Sequence, residues 1–459
     1  MQDRFLLTIL ITLGLVAASF LVFPGGPAAL AVVLVTAALF LWIFRRYAED
    51  KKFITTVFLG GLLVRLMFGL LVHTYDLREF FGGDAIGYDY LGNQLMLRWT
   101  DSVLITDATV DWRLTNIGVG WGMYYLVAAI YYVVGENILA AQSFCGVVGA
   151  AIAPMLYFCS LKAFQNNRVA QISAALVAFF PAFVIWSGQL LKDGLIVFLL
   201  VVAMTMILDL QRKFSYIPLL VLLLSVAAVL PLRFYIFYML AAALLGSFVI
   251  ASSTSAKAMG RNVVIVIVLG FGLTYLGVVK DANATFDRYG TLAQLQSSRS
   301  DLAESGKSGF ASDVDVSTTE GALNTIPIGL TYLMLAPFPW EATSLRSTAT
   351  IPEVLVWWAM LPFVFYGLVW ALKNRLRSVF PIALFALFLS IGYSVFQGNV
   401  GTAYRQRTQI QVFLFMFGAV GWSLRKEKKE NKEMLREAQK RRFVEAAKRN
   451  AALRDPRVT

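Results

Sequence analysis

The run Phe53-Ile-Thr-Thr-Val-Phe-Leu-Gly-Gly-Leu-Leu-Val-Arg65-Leu-Met-Phe-Gly-Leu-Leu-Val-His73, followed shortly by Gly82-Gly83-Asp84-Ala85-Ile86-Gly87-Tyr88-Asp89-Tyr90, decides how the rest of the chain reads. The first run is apolar and long enough to cross a hydrocarbon core of about 30 Å as a helix. Its one charge, Arg65, is costly at that depth and calls for a partner in the protein interior, in a structural or a functional ion pair. The second run gathers two carboxylates and two phenols just beyond the span. Its paired glycines permit a tight turn, Asp84 can cap a helix starting at Ala85, and Tyr88 falls four residues on above the same face. Alone, such a turn is an N-cap in a polar loop, or a carboxylate held at the membrane edge for chemistry.

Composition settles the class. Of 459 residues, 58% are hydrophobic and 15% charged, with a mean hydropathy of +0.68. Soluble domains carry about a quarter charged residues, so this is a polytopic membrane protein. Cys145 and Cys159 share one apolar segment, and a helix sets them roughly 21 Å apart, which excludes a disulfide between them. The single histidine, His73, ends a span and is given no role. The net charge is +12, of which residues 425–459 supply +7. A basic tail after the last span marks the cytoplasmic side. With no recognition motif, it reads as solvated or lipid-facing, and nucleic acid is excluded as a partner.

Taken in order, Phe5–Phe23 and Ala28–Phe44 are two spans joined by Pro24-Gly25-Gly26-Pro27; Arg4 alone is too little charge for a signal peptide. Arg45, Arg46, Lys51 and Lys52 lie inside, and Phe53–His73 returns outward. Thr74–Asn116 is an outside segment with acids at Asp76, Glu79, Asp84, Asp89, Asp101, Asp107 and Asp111 against Arg78, Arg98 and Arg113. If both Ile117–Val134 and Ile138–Leu161 crossed, Lys162, Arg168, Arg212, Lys213, Lys257 and Arg261 would all fall outside, against the positive-inside bias. Ile117–Val134, rich in tyrosine, is therefore expected to lie along or dip into the outer surface. The spans continue as Val169–Trp186, Leu190–Leu210, Tyr216–Leu232, Phe234–Ala251 and Val263–Val279. Asp281–Thr325 reads as loop or weak structure, and Ile326–Ala336 as a short re-entrant or interfacial piece ended by Pro337-Phe338-Pro339-Trp340. Val354–Leu372, Val379–Phe396 and Ile410–Leu424 follow, with an outside turn from Gly398 to Arg407. The expectation is an all-α polytopic membrane protein of about twelve transmembrane helices with outer-surface juxtamembrane helices. Residues 1–424 form the membrane domain with outside loops 74–137 and 280–351. Residues 425–459 form a basic cytoplasmic helical tail, with Glu430–Arg449 as a charged surface helix, and both termini are cytoplasmic.

This topology collects the unusual polar residues on the outer side: Asp84, Tyr88 and Asp89; Lys192 and Asp193; Arg233; Glu341; Arg405 and Arg407. Cations there need a reason, either a phosphate near the outer bilayer surface or pairing with the acidic loops.

Here the chain resembles the GT-C superfamily of membrane glycosyltransferases over roughly Leu62 to Leu210, with a weaker echo near the C-terminus. The likeness lies in the order of its motifs. An Arg-bearing span precedes Gly83-Asp84-Ala85-Ile86-Gly87-Tyr88. Val134-Gly135-Glu136-Asn137 ends a surface helix, and Ile138-Leu-Ala-Ala-Gln142 begins a span. Phe180-Pro181-Ala-Phe-Val-Ile-Trp-Ser187 and Leu191-Lys192-Asp193-Gly194 come next, and Tyr404-Arg405-Gln406-Arg407 stands before the last span. Ala336-Pro-Phe-Pro-Trp340-Glu341 is also similar to a set of membrane proteins of exopolysaccharide gene clusters. Family members commonly carry an acidic pair as Asp-Glu or Asp-x-Asp in the first loop; here the second acid, Asp89, is five residues on and faces elsewhere.

The resemblance implies a bacterial cytoplasmic-membrane enzyme of cell-envelope or exopolysaccharide synthesis with its active site on the outer face. It would move a sugar from a polyprenyl-phosphate donor to a glycan or lipid-linked acceptor, with membrane lipid as its surroundings. Asp84 would be the general base, Lys192, Arg405 and Arg407 would hold the phosphate, and Tyr88 and Asp89 would contact sugar. Asp193, Arg233 and Glu341 complete the substrate-binding set. A divalent cation, Mg or Mn, is the one cofactor the family admits, with its ligands unassigned. Two other readings stay open: an O-antigen-type polysaccharide polymerase or ligase, in which the arginines carry the chemistry, and a transporter of lipid-linked glycans, which should show internal repeats.

Overall fold

In lipid every backbone N–H and C=O must be satisfied within its own segment or bundle, and apolar runs do this as helices. The computed structural model of the chain describes residues 2–100, 120–250, 256–305, 308–310 and 314–452, and is helical almost throughout. Among these residues there is no β-strand, only an isolated bridge between Gly309 and Asn399. Asp101, Asp107, Asp111, Arg113, the start of the Ile117–Val134 stretch and residues 453–459 lie outside the described residues, as do the side chains of Lys257 and of residues 438–452.

Six described helices are long and apolar enough to cross a membrane: Gly26–Tyr47, Lys51–Thr74, Ile138–Phe164, Lys192–Arg212, Leu345–Asn374 and Leu376–Phe396. Two bent pairs bring the number to eight if each is one span: Asn167–Phe179 with Pro181–Ser187, bent by 55°, and Gly260–Tyr275 with Val278–Asp287, bent by 77°. Shorter apolar helices cover Arg4–Phe20, Gly122–Val134, Tyr216–Leu232 and Phe234–Gly246. The protein is thus an all-helical multi-pass membrane protein. At 13 residues, Gly122–Val134 spans only about 20 Å.

Several sequence expectations change. The expected span Val169–Trp186 breaks at Phe180, because Pro181 has no N–H to continue the helical ladder. Buried Arg65 closes the break: its Nη1 donates to the Ala178 carbonyl at 2.9 Å, Nη2 to Val177 at 3.2 Å, and Nε to Ser187 Oγ at 2.8 Å. Its partners are thus orphaned carbonyls and a hydroxyl, not the acid an ion pair would require. The supposed loop Asp281–Thr325 is largely helical, as Val278–Tyr289, Leu292–Ser305 and the start of Thr319–Leu335. The first two are polar on average and the third begins in the polar residues before Ile326, so no apolar run reveals them. The expected turn Gly398–Arg407 is helical from Val400, and that helix runs unbroken to Ala452, joining the last apolar run to the basic tail.

Ile138–Phe164 and Lys192–Arg212 are central and mostly buried, whereas Gly26–Tyr47 and Leu345–Asn374 turn most of their surface outward. Basic residues expected on the inner side gather around the C-terminal ends of these central helices. Lys162 pairs with Asp209, Arg212 donates to the Lys162 carbonyl, Arg261 Nη2 to Gln211 O at 2.8 Å, and Arg375 Nη1 to Gln165 Oε1 at 3.0 Å. Arg168 meets Glu430 at 3.5 Å, which fastens the tail helix to the same end.

Candidate active site

Asp193 sits in the first turn of the Lys192–Arg212 helix, where the backbone dipole favours a negative charge. Its side chain is 1% exposed. A bare carboxylate at that depth is costly, and two arginines compensate it. Arg233 Nη2 donates to Oδ1 at 3.2 Å, and Arg405 Nε to Oδ2 at 2.6 Å. Arg233 can reach because it is one extended residue between the helices Tyr216–Leu232 and Phe234–Ile250. Its Nη1 also lies 3.5 Å from the Tyr393 hydroxyl, which donates to Gln409 Oε1 at 2.5 Å.

Arg405 is the joint of the cluster. While Nε holds buried Asp193, Nη1 donates to Asp84 Oδ2 at 2.7 Å. The guanidinium stands 5.7 Å from the Trp186 ring, close enough for a cation–π contact. Nη2 is buried and has no hydrogen-bond partner among the described residues. Asp84 is the outermost member, its side chain 49% exposed. It is the first residue of the Asp84–Trp99 helix and makes no cap hydrogen bond, so the capping expectation is replaced by the bond to Arg405. Burial alone would raise its carboxyl; the Arg405 guanidinium beside it, with Lys192 and Arg233 further off, holds it below the usual carboxylate range instead.

Lys192 faces the same group. Electrostatically it acts on Asp84, and a Cβ built on Gly120 would stand 3.1 Å from its Nζ. Gly120 has φ +93°, a conformation open to glycine, so bare backbone approaches the amine there. Among the described residues, Lys192 makes no ion pair or hydrogen bond. Tyr88, buried one turn along from Asp84, packs its ring 5.6 Å from that of Tyr124. Burial, and then the Asp84 charge, push its hydroxyl above the ordinary phenol range, so it stays a hydrogen-bond donor.

Of the residues singled out in the sequence, Asp84, Asp193, Arg233 and Arg405 are bonded together, with Lys192 and Tyr88 beside them. The other three are placed differently. Asp89 accepts a hydrogen bond from Tyr131. Glu341 accepts one from Tyr332 at 3.2 Å. Arg407 is fully buried, donates from Nη1 to the carbonyls of Ala336 at 2.8 Å and Met334 at 3.2 Å, and lies against the Tyr404 and Trp357 rings. Reasoning from sequence missed Trp186, Tyr393 and the Glu353 carboxylate that accepts from Tyr404 at 2.7 Å. Glu353, an acid at the edge of an apolar run, was the one with a visible signal.

The cluster holds two carboxylates and three cations, one positive charge in excess. Among the described residues, no group of three or more His, Cys, Asp or Glu side chains is placed to hold a metal ion. Both clustered acids are already bound by Arg405, so this donor set suits an anion better than a divalent cation. No protein-family model matches the chain, and a comparison with curated proteins finds no match. The geometry by itself thus defines a class: an all-helical multi-pass membrane protein with a partly buried, cation-rich cluster at the head of its central helix.

Proposed function

We propose that the protein is a glycosyltransferase of the GT-C kind, moving a sugar from a polyprenyl-phosphate donor to a glycan or lipid-linked acceptor at the outer face of the cytoplasmic membrane. In this reading the chain crosses twelve times, counting the six long helices, both bent pairs, the shorter apolar helices other than Gly122–Val134 and the apolar start of the last helix, with both termini inside. The observation that carries it is Arg405: it joins an accessible carboxylate to a buried one and, among the described residues, keeps one guanidinium nitrogen uncommitted, with the Lys192 amine, likewise without a described partner, nearby.

The parts have separate tasks. Asp84, ionised at neutral pH, takes the proton of the acceptor hydroxyl as its oxygen attacks the anomeric carbon, worth about 10²–10⁴-fold in rate. The bond from that carbon to the lipid phosphate breaks, and the phosphate leaves with its electron pair. Lys192 and Arg405 stabilise the charge that develops on it. Asp193 touches no substrate; it positions Arg405 and Arg233. Tyr88 donates to the sugar. Arg407 acts at a distance by fixing the Met334–Ala336 backbone.

The test offers the purified protein, in membranes, a panel of polyprenyl-phosphate and polyprenyl-diphosphate sugars and follows release of the lipid phosphate. Wild type should release it and Asp84→Asn should be slower by about 10²–10⁴-fold with its fold intact. Because the Asp84 carboxyl is depressed, the ionised form persists through neutral pH, and activity should fall only as pH drops below the ordinary carboxylate range. Release that survives Asp84→Asn unchanged would overturn the base and favour a polymerase or ligase in which the arginines do the work.

A further inference from the structure

A second chemically distinctive surface lies away from the ion-pair cluster. Its core is Phe338-Pro339-Trp340-Glu341, where Pro339–Glu341 forms a single 3-10 turn. The Trp340 ring stacks on Phe338 with centroids 5.1 Å apart and planes within 17°. Phe338 is buried and Trp340 is 73% exposed, so one indole face is backed and the other is open. Next to it, Glu341 accepts from the Tyr332 hydroxyl through Oε1 and is itself exposed. Tyr332 in turn stacks on Phe310 at 4.2 Å.

Hydrogen bonds hold the backbone before this ledge to the neighbouring helices. Trp357 and Trp358 donate their indole N–H groups to the carbonyls of Met334 and Leu335 at 2.7 and 3.0 Å. Arg407, two residues from Arg405, takes Met334 and Ala336. Arg346 Nη2 donates to the Glu79 carbonyl at 3.2 Å, and its guanidinium lies 5.3 Å from the Phe80 ring. Asp84 is only five positions on from Glu79, so the ledge and the candidate base belong to the same end of the bundle.

We propose that Trp340 and Glu341 form a saccharide-binding subsite that holds the acceptor glycan; this rests on the glycosyl-transfer reading for the word acceptor, while saccharide binding stands apart from it. A pyranose ring offers a face of polarised C–H bonds, which the negative face of an indole attracts. Its equatorial hydroxyls point sideways, where a carboxylate accepts two at once. An exposed tryptophan is also the usual membrane-interface anchor. The carboxylate beside it opposes that role: insertion into the apolar layer would desolvate Glu341, and its charge repels anionic headgroups.

The full chain in detergent is tested on an array of immobilised oligosaccharides of hexose, N-acetylhexosamine and uronic acid types. No lipid donor is present, so the outcome is independent of whether the chain transfers sugar. Wild type should be retained by at least one saccharide class. Trp340→Ala should weaken that retention by about tenfold or more, Trp340→Phe should keep most of it, and Glu341→Gln should weaken it while the thermal transition stays in place. Retention by Trp340→Ala equal to wild type, or no retention of wild type by any class, overturns the subsite.

Discussion

At the scale of single residues, the cluster separates a stabilising carboxylate from a reactive one. Asp193 and Asp84 bind the same guanidinium, but Asp193 is 1% exposed and Asp84 is 49% exposed. A buried charge left without its partner is strongly destabilising, whereas a half-exposed ion pair is screened by water. Asp193→Ala, which leaves Arg233 and Arg405 without their counter-ion, should therefore cost about 3–5 kcal/mol. Asp84→Asn should cost no more than about 1 kcal/mol. Thermal unfolding of the two variants in one detergent checks this, and equal losses would show that Asp84 is as structural as Asp193. Each side chain was legible in the sequence, because polar residues at span ends stand out against apolar runs. The pairing was not. Residues 84, 193, 233 and 405 come from four separate segments, and no local pattern encodes which cation meets which acid. For the same reason Arg407 was expected on a phosphate, though it caps backbone carbonyls: its sequence neighbourhood is that of Arg405, but it points to another face of the helix.

At the scale of elements, the contact between Leu345–Asn374 and the last helix depends on missing side chains. A Cβ on Gly367 would stand 1.9 Å from the Phe417 carbonyl oxygen, and one on Gly421 2.1 Å from that of Phe363. Both neighbours are backbone, so no rotamer change can relieve the clash. Small residues at such crossings let membrane helices approach closely without a hydrophobic driving force. Gly367→Ala or Gly421→Ala should each destabilise by about 1–3 kcal/mol through overpacking, and Arg405, carried on the last helix, should lose its alignment with Asp193. By contrast, Gly87 lies on the exposed face of the Asp84–Trp99 helix with nothing near its missing Cβ. Gly87→Ala should be neutral or stabilise by up to about 1 kcal/mol. Unfolding midpoints of the three variants test this ordering. The helices themselves were visible as apolar runs wherever lipid demanded them. Those outside the apolar runs were hidden: Leu292–Ser305 is held by Arg299, whose Nη1 donates to the Val395 and Gln397 carbonyls at 3.0 and 2.5 Å, an interaction invisible to any periodicity.

For the whole molecule, the question is which side of the membrane holds the cluster. Lys192 and Arg212 bound one central helix of 21 residues, about 30 Å long. The cluster is therefore about a bilayer core away from the Lys162–Asp209 pair and the Arg212 and Arg261 contacts. Positive-inside bias predicts that the second group is cytoplasmic, since it gathers Lys162, Arg168, Arg212, Lys213, Arg261 and Arg375 together with the basic tail, and so predicts that the first is at the outer face. Labelling decides it. Cys145 and Cys159 are buried and free, so replacing both with alanine leaves a background for single cysteines at exposed positions. Ser317→Cys and Thr343→Cys should react with a membrane-impermeant maleimide on intact cells, whereas Lys213→Cys, Asn374→Cys and Lys429→Cys should react only after permeabilisation. The reverse pattern would put Asp84 in the cytoplasm, where nucleotide-linked donors are available to it, and would remove the reason for a lipid-phosphate donor. Reaction of Lys213→Cys from outside together with Ser317→Cys would instead mean that an even number of the intervening apolar segments, Tyr216–Leu232, Phe234–Gly246 and the bent pair after Gly260, crosses, none or two rather than all three, since only an odd total carries the chain from one face to the other.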